Sequence, residues 1–216
     1  MRLLVTGGSG VLGQATIPFI RAQGHEIDAP PPEQFDLFDP RAVARAVADA
    51  AGILHLATRI PPRERAGERE AWRENDRLRA EASRLLVDAA LAVKTEVYLQ
   101  PSITFLYPAE GVVDEETPLG QVPEYLRSAL TAEEETARFA AAGRRGVVLR
   151  LGLLDGPGTG NELPSSRFGS TLHVADAGRA LCVALAVPSG IYNVCRDREH
   201  VSNDRFKRVS GWRPER

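Results

Sequence analysis

A doubly wound α/β fold with a parallel sheet is predicted for this chain by two observations. Short apolar runs alternate with longer stretches of helical period along most of the 216 residues. A glycine-rich turn follows directly on the first apolar run and leads into the first helical stretch.

Residues 3–6, 26–29, 34–37, 53–57, 96–100, 147–151 and 191–194 carry the short apolar runs that predict strands. Residues 11–23, 40–50, 71–93, 132–142 and 176–187 have the spacing of helices. In the 71–93 stretch, Trp72, Leu78, Ala82, Leu85, Leu86, Ala89 and Val93 keep one face apolar. Asp39-Pro40 opens the second helix as an N-cap followed by proline at N1. Strands separated by helices need crossover connections, so the sheet is expected to be parallel and covered on both faces. Residues 59–70 and 107–123, rich in Arg/Glu and in Pro, are expected to be surface loops.

Composition narrows the function classes. The chain is 43% hydrophobic and 26% charged with a formal net charge of −2, a balance that predicts no nucleic-acid partner and excludes a disordered chain. No long uncharged apolar run predicts a membrane span, and Met1–Thr6 runs into glycines without a secretory core. Cys182 and Cys195 are too few for a disulfide framework, which predicts a reducing, cytoplasmic setting. His25, His55, His173 and His200 lack ligand spacing, so no metal is expected. Of 27 basic side chains only Lys94 and Lys207 are lysine. Any chemistry that needs an ammonium therefore has two candidates.

Thr6-Gly7-Gly8-Ser9-Gly10-Val11-Leu12-Gly13 places glycines at G-x-x-G-x-x-G between strand and helix. Gly7 suits a tight turn, Gly10 the approach of a pyrophosphate to bare backbone, and Gly13 close helix–strand packing. The N–H groups at the helix start, around Ser9, Val11 and Leu12, attract phosphate. This loop resembles the T-G-x-x-G-x-x-G fingerprint of the short-chain dehydrogenase/reductase superfamily, in its extended NAD-dependent epimerase/dehydratase branch, a Rossmann-type fold. Further segments resemble that branch in order along nearly the whole chain: Phe35-Asp36-Leu37, His55-Leu56-Ala57-Thr58, Asn75, Arg150-Leu151-Gly152 with Gly156-Pro157-Gly158, Leu172-His173-Val174-Ala175-Asp176 and Gly190-Ile191-Tyr192-Asn193-Val194. The resemblance implies that Asp36 and Leu37 meet the adenine, and that Leu56, Ala57, Thr58 and Asn75 line the ribose and nicotinamide of an NAD or NADP cofactor. The second strand ends in Asp28-Ala29 before three prolines, with neither an acidic residue nor an arginine at the expected place. Choice between the two cofactors stays open, although the loop residue Arg59 is in range of a 2′-phosphate.

The same resemblance implies a Ser/Thr, a tyrosine and a lysine four positions after the tyrosine. The lysine lowers the phenol's pKa from about 10 so that it can exchange a proton with the substrate oxygen. Ser102 matches the hydroxyl that polarises the substrate, with Thr104 second. Tyr125-Leu126-Arg127-Ser128-Ala129 resembles Y-x-R-S-K, with Ala132-Glu133 continuing the pattern, but the lysine position is Ala129. Tyr107 is a weaker substitute for Tyr125. Glu133-Glu134-Glu135 is expected to be a solvated acidic turn.

One domain, 1–216, is expected, with residues 152–175 and 195–216 as reduced substrate-lobe segments in which Arg167 and Arg196 are candidate anion contacts. So short a lobe points to a small-molecule substrate, or to a site completed by a second copy in a homodimer. The reading is an NAD(P)-binding epimerase/dehydratase-like oxidoreductase acting on a hydroxyl or carbonyl group of a sugar nucleotide or smaller substrate. The alternative is a non-catalytic dinucleotide sensor or scaffold on the same fold, which Ala129 and the short lobe motivate.

Overall fold

In the computed structural model, which describes residues 1–108, 110–164 and 169–216, the chain alternates strand and helix as β1 Arg2–Thr6, α1 Val11–Ala22, β2 Glu26–Asp28, α2 Pro40–Val47, β3 Gly52–His55, α3 Arg73–Arg77, α4 Ser83–Ala92, β4 Val97–Ile103, α5 Arg127–Ala141, β5 Arg145–Leu151, β6 Leu153–Asp155, β7 Thr171–His173, α6 Val174–Ala184, β8 Gly190–Val194 and α7 Asp204–Ser210. Six strands form one parallel sheet in the order β2-β1-β3-β4-β5-β8, and β6 with β7 forms a separate pair. The expected α/β architecture is present.

Register decides which side chain faces which layer, because successive residues of a strand point to opposite faces. Leu3, Val5, Leu54, Leu99, Leu149 and Leu151 lie in one buried cluster with residues of α1, α6 and the C-terminal segment. Leu4, Ile53 and Tyr98 point the other way and pack with Val43, Val47, Leu86 and Phe139 of α2, α4 and α5. Phe206 and Trp212 belong to the first cluster, so the C-terminal residues complete the sheet's own core.

Besides shifts of a few residues at other ends and the unexpected β6, β7 and α7, three differences from the sequence reading bear on the site. Residues 34–37 form no strand; the Asp36 carboxylate accepts a hydrogen bond from the Phe38 amide at 2.8 Å, a local turn that competes with sheet pairing. The helix expected from residue 132 begins at Arg127, which places Ala129 inside it. The single helix expected over 71–93 contains a π-helical turn, Leu78–Ala82, between α3 and α4. Such single turns recur at functional sites. The cap at Asp39 is as expected, with its side chain accepting from Arg41 N at 2.9 Å.

Candidate active-site cleft

Carboxyl ends of β1, β3, β4 and β5 open into a cleft of about 940 Å³, the place where ligands bind in open α/β sheets. One end of its lining is the turn Gly7–Leu12. Gly7 has φ +69, and a Cβ there would lie 2.6 Å from Ala57 N. A Cβ on Gly13 would lie 2.5 Å from the Gly7 carbonyl oxygen, so glycine is required for α1 to start this close to β1. No side chain caps the N-terminus of α1, which leaves its first amides to a ligand or to water. This cradle, which any side chain would fill, fits a pyrophosphate. Ser9, Gly10, Val11 and Leu12 line it, while Gly13 stands behind as packing.

Asp36 and Leu37 line the far end with Phe35 and Phe38, and Leu56, Ala57 and Thr58 line the middle. Asn75 is fully buried behind this wall. Its Oδ1 accepts from Arg59 N at 3.0 Å, while its Nδ2 has no partner among the described residues. Thr6 and His55 are paired in register, and Thr6 Oγ1 lies 2.6 Å from His55 Nδ1 while Nε2 reaches the Leu78 carbonyl at 2.9 Å. A carbonyl only accepts, so Nε2 carries the proton and Nδ1 accepts from the Thr6 hydroxyl.

Burial lowers the His55 pKa to about 4, against the opposing bond to Leu78. The unfolded chain binds a proton near 6.5 and the folded chain only near 4, so this residue's contribution to stability is present above pH 6.5 and is lost as the pH falls toward 4. The loss is on the order of 3 kcal/mol. Urea unfolding at pH 7 and at pH 4.5 is expected to show a smaller drop for His55→Gln than for the wild type; equal drops would mean that His55 titrates normally.

At the cleft floor, Ser102 of β4, Arg150 of β5 and Asn193 of β8 are neighbours in register and share one sheet face. Toward them α5 presents Glu133, which the sequence reading left in solvent. It is 7% exposed, turned inward against Arg150. Glu133 accepts from Arg150 through Nε at 3.0 Å and Nη2 at 2.6 Å, and from the Ser102 hydroxyl at 2.5 Å. Arg150 Nη1 donates to Tyr107 at 2.8 Å, and Tyr107 donates to Asn193 Oδ1 at 2.9 Å. Burial works against the Arg150 charge, yet the Glu133 bonds hold its pKa above the usual arginine range. Burial raises the Tyr107 pKa, while Arg150 opposes the rise. Tyr107 is thus a buried link of this network, and Ser102 lines the cleft with its O–H donated in a hydrogen bond to Glu133.

Thr104 does not line the cleft; its hydroxyl bonds the Leu151 carbonyl at 3.3 Å and Ser170 Oγ at 2.7 Å. Tyr125 stands outside the lining, 36% exposed and tilted at 39° against Trp72 with ring centroids 5.2 Å apart. Ala129 is buried. Arg196 is occupied, with both terminal nitrogens on Asp155 at 2.5 and 2.8 Å, and Arg167 lies outside the described residues. Sequence reasoning missed the Glu133–Arg150 pair and Arg79, a cleft-lining buried cation. Its signal was present, since position 79 falls on the buried stripe of Asn75, Ala82 and Leu86. Among the described residues no group of three or more His, Cys, Asp or Glu is placed to hold a metal, and no helix is long and apolar enough to cross a membrane.

Comparison with known proteins agrees with this geometry. The NAD dependent epimerase/dehydratase family matches residues 3–183. A 3-diazoavenalumate denitrifying reductase from a Streptomyces species is 30% identical over an alignment of 256 positions, covering 99% of this chain and 80% of the relative. Two solved structures share the fold. UDP-N-acetylglucosamine 4-epimerase from Bacillus cereus has a TM-score of 0.81 at 18% identity, covering 100% of this chain and 94% of that one. RMD from Pseudomonas aeruginosa, complexed with NADPH, has a TM-score of 0.79 at 19% identity, covering 99% and 93%. With the glycine cradle, the parallel sheet and a family match over most of its length, the chain belongs to the NAD dependent epimerase/dehydratase family.

Proposed function

We propose that the chain is an NAD(P)-binding oxidoreductase of the epimerase/dehydratase kind, acting on a hydroxyl or carbonyl group of a sugar nucleotide or smaller molecule. The observation that carries this reading is the uncapped start of α1 behind Gly7 and Gly13, opening into a cleft at the strand ends. Gly7, Ser9, Gly10, Val11 and Leu12 hold the pyrophosphate, with Gly13 setting how close α1 comes. Asp36 and Leu37 face the adenine; Leu56, Ala57 and Thr58 border the ribose and nicotinamide, and Asn75 holds the Arg59 amide behind them. When bound, a nicotinamide supplies or accepts hydride.

Ser102 is the proposed contact to the substrate oxygen. Because its proton lies toward Glu133, its free lone pairs accept from a substrate O–H or N–H and orient that group. The Glu133–Arg150 pair fixes this orientation from below, and Thr104 braces the turn behind it. The proton carrier expected from the resemblance, Tyr125, stands in the turn before α5, beyond the lining.

That separation, with Ala129 in place of the lysine, favours a second reading as a dinucleotide sensor without turnover. Titrating NADH and NADPH by nicotinamide emission tests binding; saturation by either supports the cleft assignment, and no signal from either overturns it. Small ketones and sugar nucleotides added to the loaded protein then separate the readings, since substrate-dependent oxidation removes the sensor. Tyr125→Phe is expected to leave nucleotide affinity unchanged and to abolish any turnover found. Turnover that survives the substitution takes Tyr125 out of the proton path.

A further inference from the structure

The four buried side-chain atoms left without a hydrogen-bond partner among the described residues are Asn75 Nδ2, Asp76 Oδ1, Arg79 Nη1 and Ser128 Oγ. Three stand on the adjoining turns of α3 and the π-helical segment, and the fourth on α5, which packs against both. Protein interiors satisfy the great majority of such groups, and of these four it is Arg79 that stands in the lining of the cleft.

Arg79 is the most expensive of them to leave open. It is 7% exposed and lines the cleft, and a buried cation is ordinarily paired. Burial presses its pKa down, while the field of Asp76 opposes the shift. Asp76 does not close the pair, because its Oδ2 is held by Arg69 at 2.5 Å and its Oδ1 makes no hydrogen bond. The other cation of the lining, Arg59, stands at the exposed rim, 3.7 Å from Glu74.

We propose that Arg79 is the anion receptor of this cleft, its guanidinium taking a carboxylate or phosphate oxygen of the molecule bound there. The assignment rests on the reading of the cleft as a ligand site. A guanidinium presents a planar fork where an ammonium presents a point charge, so a planar or tetrahedral oxyanion is the matching group.

Calorimetry on the full chain tests this with ADP-ribose, NADH, NADPH, inorganic phosphate and benzoate as probes, for wild type, Arg79→Met and Arg79→Lys. If the oxygen belongs to the dinucleotide, Arg79→Met weakens ADP-ribose, NADH and NADPH alike by at least about tenfold, and Arg79→Lys recovers part of the loss. If it belongs to a second molecule, nucleotide affinities hold and the loss appears in phosphate or benzoate binding to the NADH-loaded protein. Thermal midpoints without ligand give the readout that a packing role would move the other way. Arg79→Met is expected to match or exceed the wild type, because an open buried donor has been removed. A lower midpoint with every affinity unchanged would overturn the proposal, as would unchanged affinities alone. Should Arg79→Met not fold, Arg79→Lys is read on the same measurements. Should the wild type bind no nucleotide, the cleft reading fails, and phosphate and benzoate binding to the unloaded protein decides Arg79 by itself.

Discussion

Glu133→Ala is expected to lower the unfolding free energy by about 3–5 kcal/mol, the usual result of removing one partner of a buried ion pair. The substitution leaves the Arg150 guanidinium, 4% exposed, with only the Tyr107 hydroxyl as an acceptor among the described residues. It also frees the Ser102 hydroxyl from its fixed direction. Replacing both partners by apolar residues of similar size, Glu133→Leu with Arg150→Met, is expected to recover much of the loss, since such swaps are often near neutral. Urea unfolding of the two single variants and the double variant measures this. If the double variant is as unstable as the singles, the pair is not what holds this part of the sheet to α5. Nucleotide affinity in the double variant should stay near that of wild type, because neither residue is proposed to touch the dinucleotide.

Gly13→Val is expected to abolish dinucleotide binding, by about 100-fold or more, the equivalent of roughly 2.7 kcal/mol. Its first side-chain carbon would lie 2.5 Å from the Gly7 carbonyl oxygen and 2.6 Å from Gly8, both backbone, so nothing flexible can give way. Helix α1 must then back away from β1, and the amides at its start leave the pyrophosphate seat. Overpacking of this kind also destabilises by typically 1–3 kcal/mol. Fluorescence titration with NADH, alongside a thermal midpoint, separates the two effects. A folded Gly13→Val protein that binds NADH normally would remove the cradle from the binding site.

Much of this architecture could be read before any coordinates. Gly7, Gly10 and Gly13 carry their meaning in spacing alone, and Asp39-Pro40 states a helix start because both residues act on the neighbouring backbone. The failures have a common physical cause: they depend on partners distant in sequence. Residues 34–37 look apolar enough for a strand, yet the Asp36 side chain closes a turn on Phe38. Glu133 sits in a run of three glutamates that reads as solvated, and only the facing Arg150, 17 residues on, explains why it is buried. Thr104 and Ser102 look equivalent along the chain, but β4 ends at Ile103, so the turn that follows sends Thr104 to Ser170 while Ser102, still in the strand, reaches Glu133. Tyr125 matches a motif by spacing, while Trp72, from another element, decides where its ring rests.

The row Ser102–Arg150–Asn193 lies straight across β4, β5 and β8. Moving any one of these strands by a single residue would swing its polar member into the leucine-rich layer and bring a neighbour such as Ile103, Leu151 or Val194 to the polar face. The row therefore works as an alignment key for the far half of the sheet, penalising mispaired intermediates while the chain assembles.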